Sequence, residues 1–374
     1  MRDETRLVNA AGEVELEMRY EGTEPRITRP FDPRKVDIVT QPMNVSNLID
    51  RMKYDEIDLQ PDFQRSKDLW DETKQSRLIE SLIIRIPLPT FYFDTIDDDH
   101  WIVVDGLQRL SSIQRFAVTK ELRLTGLEYL SDFEGRGYDD IPSQITRRIR
   151  EAPINAYLIK GDTPRTVRTS IFTRINTGGV TLTQAEIRNS VYRGPVSDLL
   201  RDLAHSEEFV AAVRGKVSPL RMLDREFVNR FLAFYVLGID AYAGNLDEFL
   251  TAVLEQLVGE SPCTLERYGE AFLAAMRRSH ELLGEIAFRK INRDERYGTI
   301  NKPLFECTSV VLAKLGGEEY SLLLIRRDAF LERYASLLHN EEFVRVITSG
   351  TAQRTSVRRR HEMLQATIDE VIAR

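Results

Sequence analysis

The feature that most constrains this chain is a change of period near residue 195. Before it, short apolar runs of different character follow one another. After it, strand signals vanish and apolar residues recur at helical spacing, roughly over 224–240, 246–258, 264–288, 300–315, 319–338 and 353–373. A side-chain pattern of period 3.6 does not serve a sheet, so the two halves must fold differently. The expectation is an α+β protein, with a mixed α/β domain over residues 43–194 and an all-helical domain over 195–374. Residues 1–42 are polar, carry Pro25, Pro30, Pro33 and Pro42, and read as an extended or disordered leader.

Within 43–194 the elements are short. Asn44 or Ser46 can cap a helix carrying Leu48, Ile49 and Met52, and Asp71 can cap another with Leu78, Ile79, Leu82 and Ile83 on one face. Pro87 and Pro89 end that helix and lead into Thr90-Phe91-Tyr92-Phe93, a strand by its aromatic content. Asp97-Asp98-Asp99 marks a turn, and Trp101-Ile102-Val103-Val104 makes the second arm of a hairpin. Glu121 to Leu124 and Ile154 to Ile159 read as further strands, with a helix at about 142–151 between them.

Composition excludes several function classes. Lys and Arg total 52 against 59 Asp and Glu, a formal charge of -7, so the chain does not coat nucleic acid by bulk charge. A local basic face is still open to it, because arginine outnumbers lysine and binds phosphate bidentately. Cys263 and Cys307 cannot form a disulfide framework or a CxxC metal site, and His100, His205, His280, His339 and His361 show no zinc-ligand spacing. From the charged start Met1-Arg2-Asp3-Glu4, no signal peptide is expected. The most apolar stretch, Phe227 to Ala243, contains Asn229, Arg230 and Asp240, too interrupted for a membrane span. A cytoplasmic protein with no membrane partner is expected.

The segment richest in chemistry is Val103-Val104-Asp105-Gly106-Leu107-Gln108-Arg109-Leu110. A strand ends in Asp-Gly and a helix begins at once, with Leu110, Ile113 and Phe116 as its buried stripe. Glycine lets the backbone approach a ligand closely, and the helix start presents unpaired N–H groups that favour a phosphate. Gln108 and Arg109 add donors, and Asp105 can anchor a hydrated Mg2+ ion. The alternative for this segment alone is that Asp105 caps the helix and Arg109 is solvated. A second segment, Arg174-Ile175-Asn176-Thr177-Gly178-Gly179, joins two helices. Its glycines suit a helix C-cap, which does not account for the polar residues crowded beside them. A third, Pro61-Asp62-Phe63-Gln64-Arg65, places another Gln-Arg pair before the Asp71 helix.

Taken in order, these segments resemble the N-terminal domain of GmrSD-type restriction endonucleases. The resemblance runs through Gln60-Pro61-Asp62-Phe63-Gln64-Arg65, Trp70, Arg77-Leu78-Ile79-Glu80-Ser81-Leu82 and Ile86-Pro87-Leu88-Pro89. Asp105-Gly106-Leu107-Gln108-Arg109-Leu110 is similar to that family's Asp-Gly-Gln-Gln-Arg motif, and the Arg174–Gly179 segment to its second signature. Asn301-Lys302-Pro303-Leu304-Phe305 and the basic last helix are more loosely similar to the helical part of such proteins. The resemblance implies a ParB/sulfiredoxin-like fold that binds a nucleoside triphosphate (NTP) and acts in restriction of modified phage DNA; the Mg2+ expected beside it comes from the reading of Asp105. Asp105, Gln108 and Arg109 would then be catalytic, and Gln64, Arg65, Gly106, Arg174, Asn176, Thr177, Gly178 and Gly179 would bind the nucleotide. Arg109→Ala is expected to lower nucleotide affinity or turnover without unfolding the protein.

The chain departs from the family pattern at Leu107, where a first Gln is common, and in lacking an HNH-type nuclease arrangement. A partner nuclease is therefore expected. Three readings stay open: an NTPase or NTP-gated switch, a non-hydrolysing sensor of nucleotide or modified DNA, and a metal-dependent ParB-like nuclease using Asp105. Two basic runs are weaker candidates for DNA contact. Arg354, Arg358, Arg359 and Arg360 begin the last helix, and Arg147, Arg148 and Arg150 share a short one. For both, a solvated helix face is the simpler explanation.

Overall fold

The computed structural model describes residues 36–59, 70–97, 100–175, 183–291 and 296–373. They divide between Val191 and Tyr192 into two compact units. The first is mixed α/β. Its elements run β1 (Ile38–Asn44), α1 (Val45–Lys53), β2 (Ile57–Asp58), α2 (Glu72–Ile83), β3 (Phe91–Asp97), β4 (His100–Asp105), α3 (Leu107–Ile113), α4 (Ser143–Glu151), β5 (Pro153–Lys160), α5 (Arg165–Ile175) and α6 (Gln184–Val191). The expected domain start at residue 43 falls inside β1, which pairs along its length with β5.

The strands form one sheet in the order β1-β5-β3-β4-β2. β1 is antiparallel to β5 and β3 to β4, while β3 with β5 and β2 with β4 are parallel. The β3–β4 hairpin is the one the aromatic and Val-rich runs imply. Alternation along the strands turns Phe91, Phe93, Trp101, Val103, Ile154, Ala156 and Leu158 to one side, where α1, α2 and α3 bury Leu48, Ile49, Leu78, Ile79, Leu82, Leu110 and Ile113 against them. α2 starts where Asp71 accepts the Lys74 N–H at 2.8 Å. α5 packs against β4, and its Arg168 pairs with the buried Asp94 of β3 at 3.6 Å.

Residues 121–124, expected as a strand, form none. Leu122 and Leu124 are buried alternately as a strand would bury them, but Leu124 exchanges backbone hydrogen bonds with Gly135 and Arg136 of its own following loop. Alternation records burial, and a strand needs a neighbouring edge as well.

The second unit is mostly helical, comprising α7 (Pro195–Ala204), α8 (Glu207–Ala212), α9 (Leu223–Leu232), α10 (Leu246–Val258), α11 (Pro262–Leu283), α12 (Lys302–Lys314), α13 (Gly317–Ile325), α14 (Arg327–His339), α15 (Glu341–Thr348) and α16 (Arg354–Ile372). It also carries a small antiparallel hairpin, β6 (Arg289–Ile291) with β7 (Tyr297–Ile300), which the expectation of an all-helical domain did not include. The single helix expected over 319–338 breaks at Arg326, whose guanidinium donates to the Val371 and Ile372 carbonyls at 2.8 and 2.7 Å and so satisfies the end of α16. Asn301-Lys302-Pro303 is a helix start, in which Asn301 accepts the Leu304 N–H at 2.9 Å. Among the described residues, no helix is long and apolar enough to cross a membrane.

Candidate functional site

Asp105 ends β4 and Gly106 makes the turn into α3. The β3–β4 ladder pairs Phe93 with Val103 and Tyr92 with Asp105, skipping Val104. A slip of this kind bends a strand end and re-aims its last side chain. Gly106 then takes φ +103, a backbone conformation that disfavours any side chain, and a Cβ there would lie 2.5 Å from Cδ1 of Phe91. The close approach that requires glycine is made by a neighbouring strand of the protein itself.

Arg109, one helical turn on, points back across this junction. Its Nη2 donates to Asp105 Oδ2 at 2.5 Å, and its Nη1 donates to the carbonyls of Pro89 and, at 3.2 Å, Thr90. The guanidinium carbon lies 4.6 Å from the centre of the Phe91 ring. The Arg109 side chain is 11% exposed and that of Asp105 33%. Burial pushes the Arg109 guanidinium down from its ordinary value, and the Asp105 carboxylate counters this. Arg109, expected to hold a phosphate, is thus also engaged with the protein itself. Its two terminal nitrogens donate to the Asp105 carboxylate and to two carbonyls just ahead of β3.

Gln108 is also engaged with the protein: its Oε1 accepts the Trp70 N–H at 2.9 Å. The Trp70 carbonyl accepts from Gln75 Nε2 at 2.5 Å, and Gln75 Oε1 accepts from Arg115 Nη1 at 2.8 Å. Leu107 belongs to the core with Leu110. Sequence reasoning missed Trp70, Pro89, Thr90 and Phe91 as parts of this junction. The signal available was that Trp70 and Ile86-Pro87-Leu88-Pro89 share one ordered series of motifs with Asp105–Leu110.

Among the expected site residues, Asp105, Gly106, Gln108 and Arg109 thus stand together. Arg174 sits in the last turn of α5 and is exposed. Gln64, Arg65, Asn176, Thr177, Gly178 and Gly179 lie outside the described residues. In α16, Arg354 donates to the Asp240 carbonyl at 3.4 Å, Arg358 pairs with Asp240 at 2.5 Å and Arg359 with Glu342 at 2.8 Å. Arg360 is fully buried and paired with Glu306, so its candidacy for DNA contact is corrected: it cannot reach a phosphate backbone.

Residues 45–193 match the family model of the GmrSD restriction endonuclease N-terminal domain. The matched stretch opens at the first residue of α1 and closes just after α6, and it contains the whole Asp105–Arg109 junction. The resemblance to the GmrSD N-terminal domain read from the motifs is therefore found over this part of the chain, which is well under half of its 374 residues. No curated protein and no solved structure is similar enough to match the chain.

A triphosphate with Mg2+ fits the described residues only in part. Backbone amides of the first turn of α3 and one oxygen of Asp105 remain for a ligand, the first suited to a phosphate oxygen and the second to a hydrated cation. The guanidinium of this turn, Arg109, already donates to Asp105, Pro89 and Thr90. Among the described residues, no group of three or more His, Cys, Asp or Glu stands ready for a metal ion.

Proposed function

We propose that this chain is a nucleotide-responsive component of a restriction or anti-phage defence system, with an NTP bound at the β4–α3 junction and action on DNA carried out with a partner nuclease. The restriction context rests on the match of residues 45–193 to the GmrSD N-terminal domain. The observation that carries the assignment of the site is the Asp105–Arg109 pair, 2.5 Å apart within that stretch. An ion pair taken largely out of water repays its desolvation poorly, and a neutral cap would build the same turn. Charge kept at the end of a strand, beside a helix start, is therefore more useful for a ligand than for the fold. In this arrangement Arg109 fixes Asp105 and offsets its charge, so that a polyphosphate can approach the amides of α3 without facing a bare carboxylate.

A non-hydrolysing sensor is the second reading, and one observation favours it: the Arg109 guanidinium is engaged with Asp105, Pro89 and Thr90. Hydrolysis needs a cation positioned to meet charge developing in the transition state, a role that those contacts do not provide.

Calorimetric titration of the full chain with ATP, GTP, CTP and UTP, each with Mg2+, tests both readings. Saturable binding of at least one nucleotide is expected, weakened or altered in its Mg2+ dependence by Asp105→Asn. Absence of binding to all four at millimolar concentration overturns the assignment. Turnover of the bound nucleotide, with and without DNA, separates the hydrolysing reading from the sensing one.

A further inference from the structure

A shallow recess of about 320 Å3 lies between the start of α1 and one face of α4, lined by Ser46, Ser143, Thr146, Arg147, Arg150 and Glu151. The α4 residues recur at positions i, i+3, i+4, i+7 and i+8, so they form a single stripe along the helix. The opposite side of α4 buries Ile149 in the core, which fixes the stripe outward.

Arg51, Arg77, Arg115 and Arg123 of the same unit each pair with a carboxylate. Arg85, Arg136 and Arg165 take no ion pair among the described residues but stand far apart in the sequence, whereas the arginines here are clustered. Arg147, Arg150 and the neighbouring exposed Arg148 take no ion pair or side-chain hydrogen bond within the described residues. Three unneutralised guanidiniums within four positions give a local positive potential on a chain whose formal charge is -7. Hydroxyls of Ser46 and Ser143 stand beside them, the group types that contact phosphate and sugar oxygens.

We propose that this recess is a contact for the phosphate backbone of duplex DNA, with Arg147 and Arg150 on neighbouring phosphates of one strand. The two arginines lie about 4.5 Å apart along the helix axis, and the recess is open to a strand passing over it. Glu151 at one end opposes a compact polyanion more than a strand that runs past it. The choice of DNA as the nucleic acid rests on the restriction reading above, while the site itself is separate from the β4–α3 junction. Backbone contacts of this kind position a protein on DNA without reading its sequence.

The test is the salt dependence of binding of a fluorescent 20-base-pair duplex to the full chain, wild type and Arg147→Ala/Arg150→Ala. Each phosphate neutralised contributes about 0.9 to the slope of log K against log salt, so the double variant should bind more weakly with a slope shallower by about 2. An unchanged slope and affinity, or no duplex binding by the wild type, overturns the proposal. Titration with inorganic tripolyphosphate distinguishes a free phosphate ligand: tripolyphosphate binding that is lost in the double variant, without duplex binding, assigns the recess to a small anion and overturns the DNA contact. Nucleotide titration of the same variant should match wild type. Loss of nucleotide binding there, with duplex binding unchanged, counts against the proposal, whereas a wild type that binds no nucleotide overturns only the assignment of the β4–α3 junction.

Discussion

Arg109 donates to Asp105 at 2.5 Å across one turn of α3, tying the helix to the strand that precedes it. The same guanidinium reaches the carbonyls of Pro89 and Thr90 and covers the Phe91 ring. Arg109→Ala therefore removes a brace as well as a charge, leaving two carbonyls and a half-buried carboxylate without their donor. A loss of about 2–3 kcal/mol in urea unfolding is expected, with Arg109→Lys recovering only part of it because ammonium cannot serve three acceptors in one plane. A variant as stable as wild type shows that the brace does not hold. Nucleotide binding by Arg109→Ala has to be measured well below its unfolding midpoint, since a weakened junction and a lost ligand contact would otherwise look alike.

Gly106 and Gly135 offer a paired comparison. Both have positive φ, +103 and +74, but a Cβ at Gly106 meets Phe91 Cδ1 at 2.5 Å whereas one at Gly135 meets nothing within 4 Å. Gly135→Ala should lose about 1 kcal/mol from backbone strain alone. Gly106→Ala should lose at least about 1 kcal/mol more, because a packed ring has to shift. Equal losses in thermal or chemical unfolding would show that Phe91 yields freely.

Much of this was legible in the residues, and the reason it stopped where it did is physical. The stripe Leu110, Ile113, Phe116 announces α3, and Asp-Gly after a β-branched run announces the turn, because both signals are local. The destination of Arg109 is not local. It depends on the skipped Val104 in the β3–β4 ladder and on a carbonyl at Pro89, which sequence spacing does not convey. The burial of Arg360 is hidden from the sequence for the same reason. Arg358, Arg359 and Arg360 look equivalent in a row, yet successive positions on a helix point about 100° apart, so the third turns inward to Glu306 while the other two stay at the surface.

That inward arginine belongs to a buried cluster. Glu306 of α12 accepts from Arg230 Nε at 2.7 Å through one oxygen and from Arg360 Nε and Nη2 at 3.0 and 2.5 Å through the other. Arg360 also donates to the Thr351 carbonyl at 2.6 Å, joining α9, α12 and α16. Glu306→Gln leaves two guanidiniums facing a neutral amide in the interior, and a loss of about 3–5 kcal/mol is expected. Arg359→Ala, which breaks the exposed pair with Glu342, should leave the unfolding midpoint unchanged. If the two variants unfold alike, the cluster does not hold the helices together.

His361, next in sequence, is the group through which acid is expected to destabilise the helical unit. Burial pushes its imidazole down to about 4, with Glu306 opposing the shift and Arg360 adding to it. Its Nδ1 bonds the Val357 carbonyl at 2.9 Å, and its ring lies 5.7 Å from that of Phe234. An unfolded imidazole takes its proton near pH ~6.5. Between that value and about 4 the unfolded chain binds the extra proton, so stability is full above the upper value and is lost as pH falls toward the lower one. The loss over this window is on the order of 3 kcal/mol. His361→Phe keeps an aromatic ring against Phe234 and removes the titration, so its unfolding free energy should fall less steeply over the same window than that of wild type. Parallel pH profiles for the two proteins would place the acid sensitivity in another group.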